Sequence, residues 1–132
     1  MAKMENQKLK ILLLKDYLEQ NTDPEHPATI HELLDYLALQ GVHAERKSVY
    51  RDLELLEEYG CDLIATRGKN ASYAIGEGVF SLPELKLLAD AVTASKFLTE
   101  KKSDELLKKL GRLTSRFRAL ELRRSLVVSG RV

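Results

Sequence analysis

The 132-residue chain has no tryptophan, one cysteine, three prolines and three phenylalanines. Each shortage removes a class of protein. The lone thiol, Cys61, can close no disulfide within the chain, which agrees with a reducing compartment. His26, His31 and His43 stand at spacings that match no zinc pattern, so no metal site is expected. With so few Trp and Phe side chains for bases to stack on, the chain is poorly equipped for single-stranded RNA. No apolar run approaches the roughly 20 residues needed to cross a bilayer, and the first residues lack the basic, apolar and small-residue order of a secretion signal. No membrane partner is expected, and the expected compartment is the cytoplasm. Paired carboxylates, a nucleophile constellation and a glycine-rich phosphate loop are all missing, so neither catalysis nor a cofactor is expected.

What is present describes a globular protein. A content of 44% hydrophobic and 31% charged residues is that of a folded rather than a disordered chain. The length suffices for one compact core and a smaller helical appendage. The net charge of +1 hides an asymmetry. Ten basic against sixteen acidic residues give −6 over positions 1–95, and eleven against four give +7 over 96–132. Any polyanion binding by the first part must therefore come from local placement of cations.

Periodicity predicts a first helix over Glu5 to Gln20, with Leu9, Leu12, Leu13 and Tyr17 on one side and Lys8, Lys15 and Glu19 on the other. Pro24 and Pro27 mark a loop over Asn21 to Pro27. Thr29-Ile-His-Glu has the form of a capping box opening a second helix, whose inner face is Ile30, Leu33, Leu34 and Leu37 and whose stop is Gly41. A third helix follows over residues 44–59. Its Val49, Leu53 and Leu56 make an apolar stripe, with Lys47 and Arg51 pointing away from it and Ser48 and Tyr50 flanking that pair. The first two turns thus present cations, a hydroxyl and a phenol on a face suited to a phosphate-lined groove, at the positive end of the helix dipole. Glu54, Glu57 and Glu58 make the far end repulsive to phosphate. A recognition helix has this polarity; an ordinary amphipathic helix with a solvated charged face is the plain alternative.

Two helices joined by a short glycine-containing turn make a helix-turn-helix candidate. After Gly60, Cys61 to Thr66 and Ser72 to Ile75 are β-prone and flank Arg67-Gly68-Lys69-Asn70-Ala71, which predicts a hairpin with a basic tip at 67–71. The expected fold is mainly α with a small β-hairpin: a winged helix-turn-helix followed by a helical layer. Such a wing can reach adjacent phosphates or the minor groove, with Arg67 and Lys69 as charges and Asn70 as a donor. A solubilising hairpin tip is the alternative. Beyond the hairpin, Ser81-Leu82-Pro83-Glu84 is a second capping box, leading a helix with Leu85, Leu88, Ala89 and Val92 inward. Thr99 or Ser103 opens another, with Leu106, Leu107, Leu110 and Leu113 inward and a bend at Gly111. A shorter helix with Phe117, Leu120 and Leu122 is expected from Thr114, then a β-prone tail. The arginines at 112, 116, 118, 123 and 124 add phosphate contacts or solvate an outer face, the second being the commoner use of such a run.

The run RKSVYRDLELLEEYG, with DLI and the hairpin ending SYAIG, resembles the amino-terminal winged helix-turn-helix domain of bacterial transcriptional regulators that carry a WYL sensor domain, of the DeoR-like class. The following SLPELKLLADAVTASKFLTEKKSDELLKKLGRL is similar to the helical linker of those regulators. The resemblance implies a DNA-binding domain over 1–78, a linker over 79–124, and a lead-in over 125–132 to a sensor domain that these residues do not include. It implies that Arg46, Lys47, Ser48, Tyr50 and Arg51 face DNA and that Thr29 lies near the phosphate backbone. It further implies sequence-specific binding of double-stranded DNA by a homodimer acting as repressor or activator, with the effector ligand left to the sensor. One departure stands out: His43 or Ala44 occupies the place of a capping Ser or Asp before the reading helix. The competing function is a winged helix used for protein contact, through its acidic half and Leu55 and Tyr59.

Overall fold

The computed structural model describes residues 2–128, with side chains over 7–126. The chain divides into two compact units, Met1–Gly76 and Glu77–Val132. The fold is mainly α with a small antiparallel sheet, and the first unit has the element order of a winged helix-turn-helix.

In the first unit, α1 (Ala2–Asn21) precedes β1 (Ala28–Thr29), α2 (Ile30–Leu39), α3 (Arg46–Tyr59), β2 (Leu63–Thr66) and β3 (Ser72–Ile75). The sheet order is β1-β3-β2, with Thr66 opposite Ser72 in the hairpin and Ala28 opposite Tyr73 at the other edge. The strand β1 is not predicted from the sequence, because two residues carry no periodicity. The phase of α1 is also corrected. Leu14 and Leu18 are its fully buried residues, whereas Leu9 and Leu12 are exposed. The apolar run Ile11-Leu-Leu-Leu14 fits several faces of a helix, and packing against α2 and α3 selects among them.

Local signals set the helix ends. The Thr29 hydroxyl accepts from the Glu32 backbone N–H (3.2 Å), and the Glu32 carboxylate accepts from the Thr29 N–H (2.9 Å), completing the capping box at the start of α2. At its end Gly41 takes φ +82°, which lets its N–H reach Ala38 O and the Val42 N–H reach Leu37 O at 2.8 Å. Val42 is thereby drawn into the core beside Leu14, Leu18, Leu33, Leu37, Val49, Leu53 and Leu56. Burying each of these side chains contributes about 1.5–3 kcal/mol. Tyr17 on α1 meets Tyr36 on α2 with ring centroids 4.7 Å apart.

Helix α1 is tied to the sheet by one buried hydroxyl. Thr22 donates to Leu18 O and accepts from the Ile75 N–H at 3.0 Å, so the end of the first helix is joined to the central strand. Asp23, also buried, accepts from the Glu25 N–H and holds the His26 ring at 2.9 Å, which closes the turn before β1.

In the second unit, α4 (Leu82–Ala94), α5 (Glu100–Gly111) and α6 (Arg116–Val128) pack around Leu85, Ala89, Leu122 and Leu126. Ser81 and Glu84 form the expected capping box, and Thr99 caps α5 by accepting from the Lys102 N–H. Gly111 ends α5 rather than bending it, and Leu113 beyond it is exposed. A β-carbon at Gly111 would stand 3.3 Å from that of Ala119 on α6, so the glycine permits a close approach of the two helices. The expected β-prone tail is corrected in part: residues 125–128 continue α6, and 129–132 lie outside the described residues.

Replacing Thr22 by Val keeps the shape but leaves the Ile75 N–H without its acceptor, and should cost about 1–3 kcal/mol in a urea unfolding curve. Thr22→Ser should cost less, because it keeps the oxygen.

Candidate nucleic-acid interface

Successive residues of a helix turn by about 100°, and α3 uses this to present four different faces. Val49, Leu53 and Leu56 are buried in the core. Tyr50, Glu54 and Glu57 look toward the hairpin. Lys47 and Arg51, with Glu58, face solvent. Ser48 and Asp52, one turn apart, face α1.

On that last face lies a contact invisible to sequence reasoning. Lys10 of α1 is 2% exposed, and its ammonium donates to both Ser48 Oγ and Asp52 Oδ2. The Asp52 side chain is 15% exposed, so this is a nearly buried ion pair between the first helix and the third. Removing one partner of such a pair leaves an uncompensated charge and costs about 3–5 kcal/mol. The signal lay in the spacing Lys10, Leu14, Leu18, which puts a lysine on the buried stripe once the phase of α1 is known.

The expected placement of Ser48 is therefore corrected: its hydroxyl is half-buried and engaged by Lys10, not projecting beside Lys47 and Arg51. Lys47 and Arg51 are exposed, as the sequence pattern requires. Arg46 is exposed and its guanidinium donates to His31 Nε2 at 2.7 Å, linking α3 to α2. Glu45 occupies the N-cap of α3 but its side chain makes no capping bond, so the first turn has no side-chain cap of its own. Thr29 is exposed, with its hydroxyl held in the capping box.

The hairpin turn carries Arg67, Gly68, Lys69 and Asn70, all exposed, and Gly68 takes φ +116°, a conformation open to glycine and strained for other residues. Arg67 and Gly68 line one wall of a cleft of about 410 Å³ whose other wall is Tyr50, Glu54 and Glu57 of α3. The turn and α3 therefore flank a common groove. The Tyr50 and Tyr73 rings both line it, with centroids 6.3 Å apart and planes tilted by 50°. Burial pushes the Tyr73 phenol above its usual range; the neighbouring Tyr50 phenol adds to this, and the Arg67 guanidinium opposes it. The cleft thus brings the Arg67 guanidinium and two phenols together with the Glu54 and Glu57 carboxylates.

Because folding favours the neutral Tyr73 phenol, the unfolded chain loses that proton first. Stability from this group is complete below the usual tyrosine range of about 10 and declines as pH rises beyond it. Urea unfolding between neutral and strongly alkaline pH should show a shallower decline for Tyr73→Phe than for the unaltered protein. Equal slopes would contradict the assignment. No family model, curated protein or solved structure matches the chain.

Proposed function

We propose that the first unit binds double-stranded DNA sequence-specifically, with α3 in the major groove and the 67–71 turn on the adjacent backbone or minor groove. The observation that carries this reading is the exposure of cations on two adjoining elements, on α3 and at the Arg67 to Asn70 turn, which flank a common cleft. Lys47 and Arg51 are exposed on the same helix within its first two turns. Arg46 and the uncapped first turn supply further positive character, since a helix amino terminus attracts phosphate.

The carboxylates refine the pose. Glu54, Glu57 and Glu58 occupy the last two turns of α3 and are exposed, so the helix enters the groove by its amino-terminal end. Arg51 and Lys47 reach base edges or neighbouring phosphates in this pose, Tyr50 fixes register, and Arg67, Lys69 and Asn70 hold the wing. The resemblance to WYL-carrying regulators supports the same reading and adds a homodimer, two half-sites, a regulatory role and the bacterial cytoplasm. One reading helix covers only a few base pairs, and a second copy on the same face of the duplex would supply the remaining affinity.

A salt titration separates this function from its competitor. DNA binding through phosphate contacts should weaken steeply between low and moderate salt. A protein-contact module working through Leu55 and Tyr59, both exposed at the far end of α3, should bind no duplex at either. With a preferred duplex selected from a random pool, Arg51→Ala should cost about 1–3 kcal/mol and relax the preference at one position if Arg51 reads a base; an equal loss on a scrambled duplex would assign it to phosphate. Glu57→Gln, which removes a repulsive charge from the cleft, should raise affinity for both duplexes. Weaker binding by that variant would contradict the proposed pose.

A further inference from the structure

We infer that Lys10 is a positioning residue for DNA reading: through Ser48 and Asp52 it fixes the roll and axial register of α3, and with them the aim of Lys47 and Arg51. The inference rests on the DNA-binding reading and adds to it a residue that touches no DNA. Lys10 is 2% exposed and lies on α1, so it can reach no phosphate from where it stands.

Three observations carry it. First, both acceptors of the Lys10 ammonium sit on α3, four residues apart, so one cation holds two successive turns of the reading helix. Second, the rest of the core shared by these helices is aliphatic: Leu14 and Leu18 from α1 with Val49, Leu53 and Leu56 from α3. Aliphatic packing is non-directional and adapts to a modest rotation of a helix, whereas a hydrogen bond weakens steeply as its angle is lost. Third, a buried ion pair is a poor way to gain stability, since well-packed apolar residues in its place are often neutral or better, and its best-attested use is to fix register.

The geometry shows why a fixed roll matters. Side-chain tips stand on the order of 6 Å from a helix axis, so a roll of about 20° moves them by about 2 Å. Recognition contacts must be held to within about 0.5 Å. A helix free to roll by that amount would retain its cations, and so its general attraction to phosphate, while losing its discrimination between bases.

The experiment compares the unaltered chain with the double variant Lys10→Met/Asp52→Leu, which replaces the pair by apolar groups and leaves no charge stranded. Affinity is measured for a preferred duplex chosen from a random pool and for a scrambled duplex of the same length, with thermal unfolding recorded in parallel. The expected result is a folded protein whose affinity for the scrambled duplex is little changed and whose preference ratio falls on the order of tenfold or more, the loss expected when one base pair is misread. A merely structural role would leave the ratio intact, because unfolding lowers both affinities by the same factor. A folded double variant with an unchanged ratio overturns the inference. If the double variant does not fold, Ser48→Ala decides. That change keeps the ion pair and removes one of the two anchor points; a reduced ratio supports the inference and an unchanged ratio overturns it. An unaltered protein that prefers no duplex brings down the DNA reading itself, a failure distinguishable from a variant that discriminates as well as its parent.

Discussion

The buried contact of Lys10 with Ser48 and Asp52 is the constraint around which the first unit is organised. It spans 38 and 42 positions of sequence, and it joins the helix that starts the fold to the helix that presents the candidate interface. Lys10 is 2% exposed, so its ammonium has little solvent to fall back on and depends on its two oxygen partners. A second long-range polar tie, from the Thr22 hydroxyl to the backbone of β3, acts just beyond the carboxy-terminal end of α1. Helix α1 thus carries one polar clamp near its middle, gripping α3, and ends at a second that grips the sheet.

This arrangement accounts for the division of labour on α3. A helix with four faces can serve core, clamp, cleft and solvent only if its rotation is set, since a change of one residue in phase would carry each face to the wrong neighbour. The apolar stripe sets the phase coarsely, and the clamp sets it finely. The exposed cations then occupy the single remaining face toward solvent, and the carboxylates beyond them limit how much of the helix a polyanion can approach.

Much of this architecture is legible in the sequence. Both capping boxes, the glycine stop after α2, the amphipathic stripe of α3 and the basic hairpin depend on residues within a few positions of one another, and local chemistry decides them. What was not legible depends on partners far away in the chain. The phase of α1 is ambiguous because Ile11 to Leu14 is apolar throughout, and with the phase hidden, Lys10 looks like any surface lysine. Strand β1 exists because β3 offers it an edge, not because Ala28 and Thr29 demand it. The inward turn of Ser48 follows from Lys10 and shares its invisibility, as does the grip of His31 on Arg46. In the second unit, helix α6 continues through Leu126 because that side chain finds Leu85 and Ala89, which overrides the β propensity of its Val-Val end.

The close approach at Gly111 constrains how the second unit can diverge. With only 3.3 Å between a notional β-carbon there and the methyl of Ala119, a side chain at position 111 requires that methyl to give by a few tenths of an ångström. Bulk at position 111 is therefore most easily accommodated where position 119 stays small. A lineage descending from this chain would therefore vary freely along the outward-facing lysines of α5 while the helical elbow beside them stayed nearly still.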